Sequence, residues 1–275
     1  MTTPAAPAGN GRPGGPRRRK PPKRVEVVSV SSVSPRLVSV LVAGDGLDGY
    51  ADAAPTSHLK VFLPADGQDE PNLPEFTPDG VVFADEGPRP TVRTYTPRRY
   101  DPAAGTLEIQ FLLHGEGPAS AWAQRAKPGD KLGVAGPGGR FSLDPAADHW
   151  WIAGDESAIP AVGTLLDALP ATASAEVHVE VDGADDEITL AGAAKANVTW
   201  HHRPPGGYGQ QLAAAARAAQ LPDGARVWVA CESGAMRDIR HYLTRERGIP
   251  VGQLVTRGYW RAGEQNHPDH DYGED

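Results

Sequence analysis

Hydrophobic and polar residues alternate along the chain in two rhythms, and the change between them falls near residue 148. Upstream, residues 24–30, 37–42, 59–63, 91–96, 106–113 and 131–135 are short runs rich in β-branched, aromatic and leucine residues, with Pro, Gly, Ser or Asp between them. Period-two runs closed by turn residues predict strands. Six of them in series predict a small closed antiparallel barrel with Greek-key connections. One predicted helix interrupts the set, Pro118-Ala-Ser-Ala-Trp-Ala-Gln-Arg-Ala126, stopped by Pro128-Gly129. Downstream, strand-like runs at 150–153, 175–181, 197–200, 226–230 and 254–260 alternate with helical patterns over 158–169, 210–219 and 235–247. That rhythm predicts a mainly parallel α/β domain with helices on both faces. The predicted organisation is a two-domain β plus α/β chain, with a barrel over 24–147 and an α/β domain over 148–263. A Pro/Gly-rich basic tail at 1–23 is expected to be disordered, and an acidic tail at 264–275 is expected to be untethered.

Composition narrows the function classes. The net charge of −8 is uneven: residues 1–24 carry seven basic side chains and no acid, leaving 20 basic against 35 acidic beyond them. A nucleic-acid binder carries its positive charge on the folded body, so this acidic body argues against that role. No run approaches the roughly 20 apolar residues of a bilayer span, and the N-terminus lacks an apolar signal region. A cytoplasmic protein is therefore expected. A single cysteine, Cys231, excludes internal disulfides and a cysteine-built metal site. His201 and His202 are adjacent on a predicted strand and point to opposite faces, and His267 and His270 lie in the acidic tail, so no structural metal is expected.

The candidate chemistry begins at Arg93-Thr94-Tyr95-Thr96. Along a strand, Arg93 and Tyr95 share one face and Thr94 and Thr96 the other. A guanidinium grips phosphate at two points, a tyrosine ring offers a flat apolar partner, and a threonine hydroxyl can bond a ring nitrogen. After the next strand, His114-Gly-Glu-Gly-Pro-Ala-Ser leads into a helix whose free N–H groups form an anion site. A pyrophosphate there is within reach of Arg93 from the other side.

In this order, seven segments carry a family resemblance: Ser57-His-Leu-Lys-Val-Phe-Leu-Pro64, Arg93-Thr-Tyr-Thr96, Leu113-His-Gly-Glu-Gly-Pro-Ala-Ser-Ala-Trp-Ala123, Gly136-Pro-Gly-Gly-Arg-Phe141, Ala153-Gly-Asp-Glu-Ser-Ala-Ile-Pro-Ala161, Val227-Trp-Val-Ala-Cys-Glu232 and Gly258-Tyr-Trp-Arg-Ala-Gly263. The chain resembles the siderophore-interacting protein family, FAD-containing ferric-siderophore reductases of the ferredoxin-reductase type. The resemblance implies Arg93 as phosphate ligand of FAD, with Thr94 in the same element and Tyr95 and Thr96 beside the isoalloxazine. It implies His114, Gly117, Ala119 and Ser120 as pyrophosphate and ribose contacts, and Trp260 in an element that returns to the flavin pocket. Gly154, Asp155 and Glu156 sit where a nicotinamide domain faces the flavin. Cys231-Glu-Ser-Gly-Ala-Met236 resembles the C-G-P-x-x-M element of ferredoxin-reductase relatives, which places Cys231 and Glu232 near NAD(P)H; a buried structural thiol is the alternative for Cys231. Lys60, Arg140 and Arg261 resemble the family's basic residues around an anionic ferric chelate.

Residues 150–158 show one glycine, Gly154, where a dinucleotide fingerprint has three. That argues against tight, permanent nicotinamide binding of the common dehydrogenase kind and is compatible with a cofactor that docks, donates and leaves. Arg203 could meet the 2′-phosphate of NADPH, whereas Asp182, Asp185 and Asp186 oppose it, so NADPH and NADH both stay open. The implied activity is electron transfer from NAD(P)H through FAD to siderophore-bound Fe(III), releasing Fe(II), with the flavin and not a protein acid or base as the reactive group. The alternatives are the same flavin fold fed by ferredoxin, and a siderophore-binding flavoprotein without turnover.

Overall fold

Val40, Val42, Leu107, Ile109 and Phe111 occupy alternate positions of their strands and are inaccessible to solvent. Their burial, each worth roughly 1.5–3 kcal/mol, closes the first domain around one core. The computed structural model describes residues 21–77, 80–83, 86–115, 117–139, 141–192, 194–268 and 271–273. The first domain comprises β1 (Lys23–Ser32), β2 (Leu37–Ala43), β3 (His58–Leu63), β4 (Pro74–Thr77), β5 (Gly80–Phe83), β6 (Thr91–Tyr95), β7 (Pro97–Asp101), β8 (Thr106–Leu112), helix α1 (Pro118–Arg125) and β9 (Lys131–Gly138). Seven strands form one antiparallel sheet in the order β6-β3-β9-β1-β2-β8-β7. Its edge strands β6 and β7 are consecutive in the chain and joined at Thr96, so the sheet curls into a barrel. The expected count is six; beyond the expected run at 91–96, Pro97 opens a further strand, β7, that pairs with β8. The Pro/Gly-rich stretch before β6 also holds a small hairpin, β4 with β5.

The second domain is a five-stranded parallel sheet in the order β12-β11-β10-β13-β14. Its elements are β10 (His149–Asp155), α2 (Ile159–Ala168), β11 (Ser174–Val181), β12 (Lys195–His202), α3 (Gln210–Ala218), β13 (Arg226–Glu232), α4 (Ser233–His241) and β14 (Leu254–Trp260). Alternation along β10 explains the layering. Trp150 and Ile152 enter one apolar cluster with Val162, Leu165 and Leu166 of α2, while Trp151 and Ala153 enter another with Leu212 of α3 and Met236 and Ile239 of α4. The predicted helix over 235–247 starts earlier, at Ser233, and passes into a π-helical turn at Tyr242–Glu246, where the Thr244 hydroxyl donates to the Arg240 carbonyl at 2.8 Å.

The two domains are locked face to face. Leu37 of β2 joins the cluster under α2. Arg98 of β7 pairs with Asp167 of α2 at 2.6 Å, and the backbone N–H of Thr56 donates to Thr164 at 3.0 Å. Ser34 donates to Asp186 at 3.0 Å, and Arg36 pairs with Asp182. These contacts set the barrel against the carboxyl-end side of the parallel sheet.

The chain beyond residue 263 differs from expectation. Its described part is anchored, not untethered: Gly258 donates to the Asp271 carbonyl at 2.8 Å, the Asp271 carboxylate accepts from Ser233, Arg237 and His267, and Thr256 donates to the Tyr272 carbonyl at 2.6 Å. An acidic side chain at the first turn of α4, beside Arg237, replaces solvation with charge-assisted contacts. Of the basic N-terminal tail, residues 1–20 lie outside the described residues, and Lys23 already belongs to β1.

Candidate functional site

Register fixes the faces of β6. Arg93 opposes Val61 and Tyr95 opposes Leu59, both buried, while Thr94 opposes Lys60. Directly opposed residues share a face, so Arg93 and Tyr95 look inward and Thr94 outward. The Tyr95 ring lies 4.4 Å from Phe111, which lies 5.4 Å from Trp122 of α1. Burial raises the Tyr95 hydroxyl above its ordinary range. Thr96 leaves the strand, is buried, and lies beside the hydroxyl of Tyr259 on β14; burial pushes that hydroxyl up to about 12. The Thr96–Tyr259 contact therefore joins the two domains at the barrel rim.

Helix α1 packs on β6 and β8. Gly117 is its extended N-cap residue, Pro118 follows, and no side chain caps it; the first bonded N–H, from Ala121, reaches the Gly117 carbonyl at 2.9 Å. Ala119 and Ser120 are buried, and the Ser120 hydroxyl oxygen accepts the backbone N–H of His114 at 3.0 Å, folding the His114 turn onto the helix start. Arg93 donates to the Val92 carbonyl at 2.8 Å and to Asn266 at 3.4 Å, both neutral acceptors, and has no carboxylate partner among the described residues. An uncapped helix packed on the strand that carries a guanidinium without a counter-charge among the described residues fits a pyrophosphate, and a flat half-buried tyrosine on the same strand fits an aromatic ring system.

In the second domain, Asp155 ends β10. Its Oδ2 accepts from the Trp260 indole at 2.7 Å and the Glu232 backbone at 2.9 Å, and its Oδ1 accepts from the Ser157 backbone at 3.0 Å. Burial pushes this carboxyl up to about 6. Gly154 cannot carry a side chain: a Cβ would lie 2.7 Å from that of Ala158 and 3.2 Å from the Ala230 carbonyl. Glu232 caps α4 through the Ala235 N–H at 2.9 Å. Glu180 receives the Gly209 N–H at 2.7 Å and the Gln211 N–H at 3.2 Å at the start of α3, where Gly209 has φ +71°. Burial raises Glu180 above the usual carboxylate range.

Several sequence-predicted residues have acquired partners. Arg203 is not free for a phosphate: it donates to both Glu156 oxygens at 2.8 and 3.0 Å, with Asp182 at 3.3 Å and Glu180 at 3.9 Å. Cys231 is fully buried among Val229, Leu212 and Met236, and burial with three nearby carboxylates raises its thiol well above the ordinary range, which is core behaviour. Trp260 contacts the Tyr208 ring edge-on at 4.9 Å. Lys60 donates to Thr94 at 2.7 Å on the outer face of the barrel. Arg261 pairs with Glu264 at 3.3 Å, and the chain then reaches Arg93 through Asn266, which brings that segment to β6. Arg140 and His270 lie outside the described residues. His201 meets His178 at 3.0 Å while His202 meets Glu187 at 2.7 Å, on opposite faces of β12. The sequence reading included Tyr259 only within the returning segment 258–261 and missed Tyr208 and Asn266; for Tyr208 the available signal was an aromatic set in a Pro-Pro-Gly-Gly loop after a predicted strand.

A barrel bearing an Arg-x-Tyr-Thr strand and an uncapped helix, facing the carboxyl ends of a five-stranded parallel sheet, defines a two-domain flavin- and nicotinamide-dependent oxidoreductase of ferredoxin-reductase-like fold. The model of the siderophore-interacting FAD-binding domain matches residues 26–141, and that of the siderophore-interacting protein matches residues 147–263. The chain belongs to the siderophore-interacting protein family. It is 32% identical over 254 residues to ferric vibriobactin reductase ViuB of Vibrio cholerae, covering 91% of this chain and 93% of that protein. It is 31% identical over 249 residues to the NADPH-dependent ferric-chelate reductase of Escherichia coli, covering 87% and 93%. Among solved structures, a siderophore utilization protein from T. fusca superposes with a TM-score of 0.81 at 35% identity, covering 92% of this chain and 98% of that one.

Proposed function

We propose that this chain reduces siderophore-bound Fe(III) with electrons from NAD(P)H passed through FAD, and so releases Fe(II). The observation that carries this reading is the Arg93 guanidinium, without a carboxylate partner among the described residues, on the strand against which the uncapped helix α1 packs, in a chain whose second domain joins Asp155 to Trp260. The names of relatives at 31–32% identity support the iron chelate as substrate.

In this reading Arg93 and the α1 N–H groups hold the pyrophosphate of FAD, with the His114 turn and Ser120 closing over it. Tyr95 supports the ring system from the barrel side, and Thr96 is placed against it by Tyr259. FAD, when bound, accepts a hydride and delivers electrons singly, so that two ferric centres are reduced per nicotinamide oxidised. Asp155 fixes Trp260 and the end of β13, and so shapes the floor on which a nicotinamide docks. Lys60, Arg261 and Arg140 supply positive charge for an anionic chelate on a chain whose net charge is −8. Hard siderophore oxygens hold Fe(III) better than Fe(II), so reduction loosens the ion without a protein acid or base. Among the described residues no helix is long and apolar enough to cross a membrane, and a cytoplasmic site of action matches a nicotinamide donor.

Anaerobic titration of the yellow protein with NADH and NADPH, followed by ferric hydroxamate and catecholate chelates, tests the proposal. Bleaching by either nucleotide and re-oxidation by a chelate is the expected result. Purification without flavin and no uptake of FAD would overturn it; bleaching only on addition of reduced ferredoxin would move the electron source.

A further inference from the structure

The site for the donor's adenosine follows from topology. The chain reverses direction across the sheet between β10 and β13, and ligands of such sheets lie at the carboxyl ends of the strands beside that switch. The loop leaving the second strand meets the adenosine ribose, where a carboxylate accepts from the free 2′-hydroxyl and a cation is needed for a 2′-phosphate. Here the second strand is β11, and its loop reads Asp182-Gly-Ala-Asp185-Asp186. The neighbouring β12 ends into Arg203.

Every guanidinium described at this end is already matched by carboxylates. Arg203, 7% exposed, is held bidentately by Glu156 and lies within 4 Å of Glu180 and Asp182. Arg36 reaches in from the barrel, but it pairs with Asp182 and lies 3.7 Å from Asp186. Two guanidiniums thus face Glu156, Glu180, Asp182 and Asp186, with Asp185 exposed beside them. The Asp182 side chain is 46% exposed and remains open to a ligand. A 2′-phosphate carries close to two negative charges into this group, whereas a 2′-hydroxyl can donate to Asp182.

We infer that the chain selects NADH over NADPH, and that Asp182 is the residue that discriminates, by accepting from a free ribose hydroxyl and repelling a phosphate. This rests on the nicotinamide reading proposed above. The specificity comes as much from the repulsive element as from the attractive one.

Isothermal titration of the full-length FAD-loaded protein with NAD+ and with NADP+ tests it, with flavin bleaching by NADH and NADPH as the second readout. NAD+ is expected to bind at least roughly tenfold more tightly, and kcat/KM for bleaching to favour NADH in the same direction. Asp182→Ser and Asp182→Asn are expected to bring the two dissociation constants to within about threefold, chiefly by tightening NADP+, because Arg36 and Arg203 lose a carboxylate. NADP+ binding equally or more tightly to the parent protein, together with fast bleaching by NADPH, overturns the inference and leaves the proposed function standing. An unchanged ratio in both Asp182 variants also overturns it. Absence of binding and bleaching with either nucleotide overturns the nicotinamide reading, and this inference with it.

Discussion

The indole N–H of Trp260 donates to Oδ2 of Asp155 at 2.7 Å, across 105 positions of sequence. With Glu232 N on the same oxygen and Ser157 N and Oγ on the other, one carboxylate joins the ends of β10, β13 and β14. Each contact donates to the carboxylate, so Asp155→Asn turns an NH2 group toward donors. Flavin content is expected to hold, because no barrel contact changes. The rate of flavin reduction by nicotinamide is expected to fall about tenfold to a hundredfold through misplacement of the docking floor. The emission of Trp260 is expected to shift as its partner is lost. Stopped-flow bleaching and fluorescence of the same sample check both; an unchanged rate would remove Asp155 from the docking surface.

Titration of Asp155 follows from the same burial. Its pKa lies near 6 in the fold against 3.8 for the free side chain, so the folded state binds this proton more tightly. The stabilisation is full below about pH 4 and is lost as pH rises through about 6. Two units correspond to something on the order of 3 kcal/mol. Urea unfolding between pH 4.5 and 7 is expected to show wild type losing stability relative to Asp155→Asn as pH rises, by up to that amount. A stability gap independent of pH contradicts the shift.

Glu156 and Arg203 form the buried bidentate pair, with side chains 8% and 7% exposed. Glu156→Gln removes the main countercharge and leaves Arg203 with the longer contacts to Asp182 and Glu180. Breaking one side of such a pair costs about 3 kcal/mol. Chemical denaturation is the measure, and a loss below about 1 kcal/mol would mean that Asp182 and Glu180 take over the charge.

The layering of both domains was legible because alternation survives in the sequence: Trp150 and Ile152 face one side of β10, Trp151 and Ala153 the other. The facing of Arg93 and Tyr95 against Thr94 was legible for the same reason. What tertiary contact decides was not. Arg203 read as a phosphate ligand because nothing local shows that Glu156, 47 positions earlier, meets it once β10 and β12 lie two strands apart in one sheet. Thr96 offered no sign of Tyr259, which arrives from the last strand. The acidic C-terminal stretch read as solvated, since its anchor depends on α4 starting beside β14, a relation set by topology.

Among the described residues Arg93 has only neutral acceptors, Val92 O and Asn266, so its removal leaves none of their carboxylates unmatched. Arg93→Ala is expected to keep the melting temperature of the flavin-free protein and to weaken FAD by roughly tenfold to a hundredfold, the loss of a charge-assisted two-point contact. Arg93→Lys is expected to recover only part, because an ammonium cannot make the planar fork. Flavin-to-protein ratio and fluorescence titration with FAD measure both. Equal affinity in wild type and Arg93→Ala would place the pyrophosphate elsewhere.

The tail contact on Arg93 adds one more test. Asn266 lies 3.4 Å from the guanidinium, in a segment pinned at its far end by Asp271 to Ser233, Arg237 and His267. Truncation after residue 263 removes these contacts together with the Thr256–Tyr272 bond and the Arg257 stack on Tyr272 at 4.1 Å. The charge-assisted bonds at a partly exposed carboxylate are worth about 1–3 kcal/mol in total, which lowers the melting temperature by roughly 2–10 °C in a chain of this size. Asp271→Ala, which keeps the tail but removes its anchor, is expected to account for most of that loss. If Asp271→Ala leaves the melting temperature unchanged while truncation lowers it, the tail is held by its apolar and backbone contacts instead of by the carboxylate.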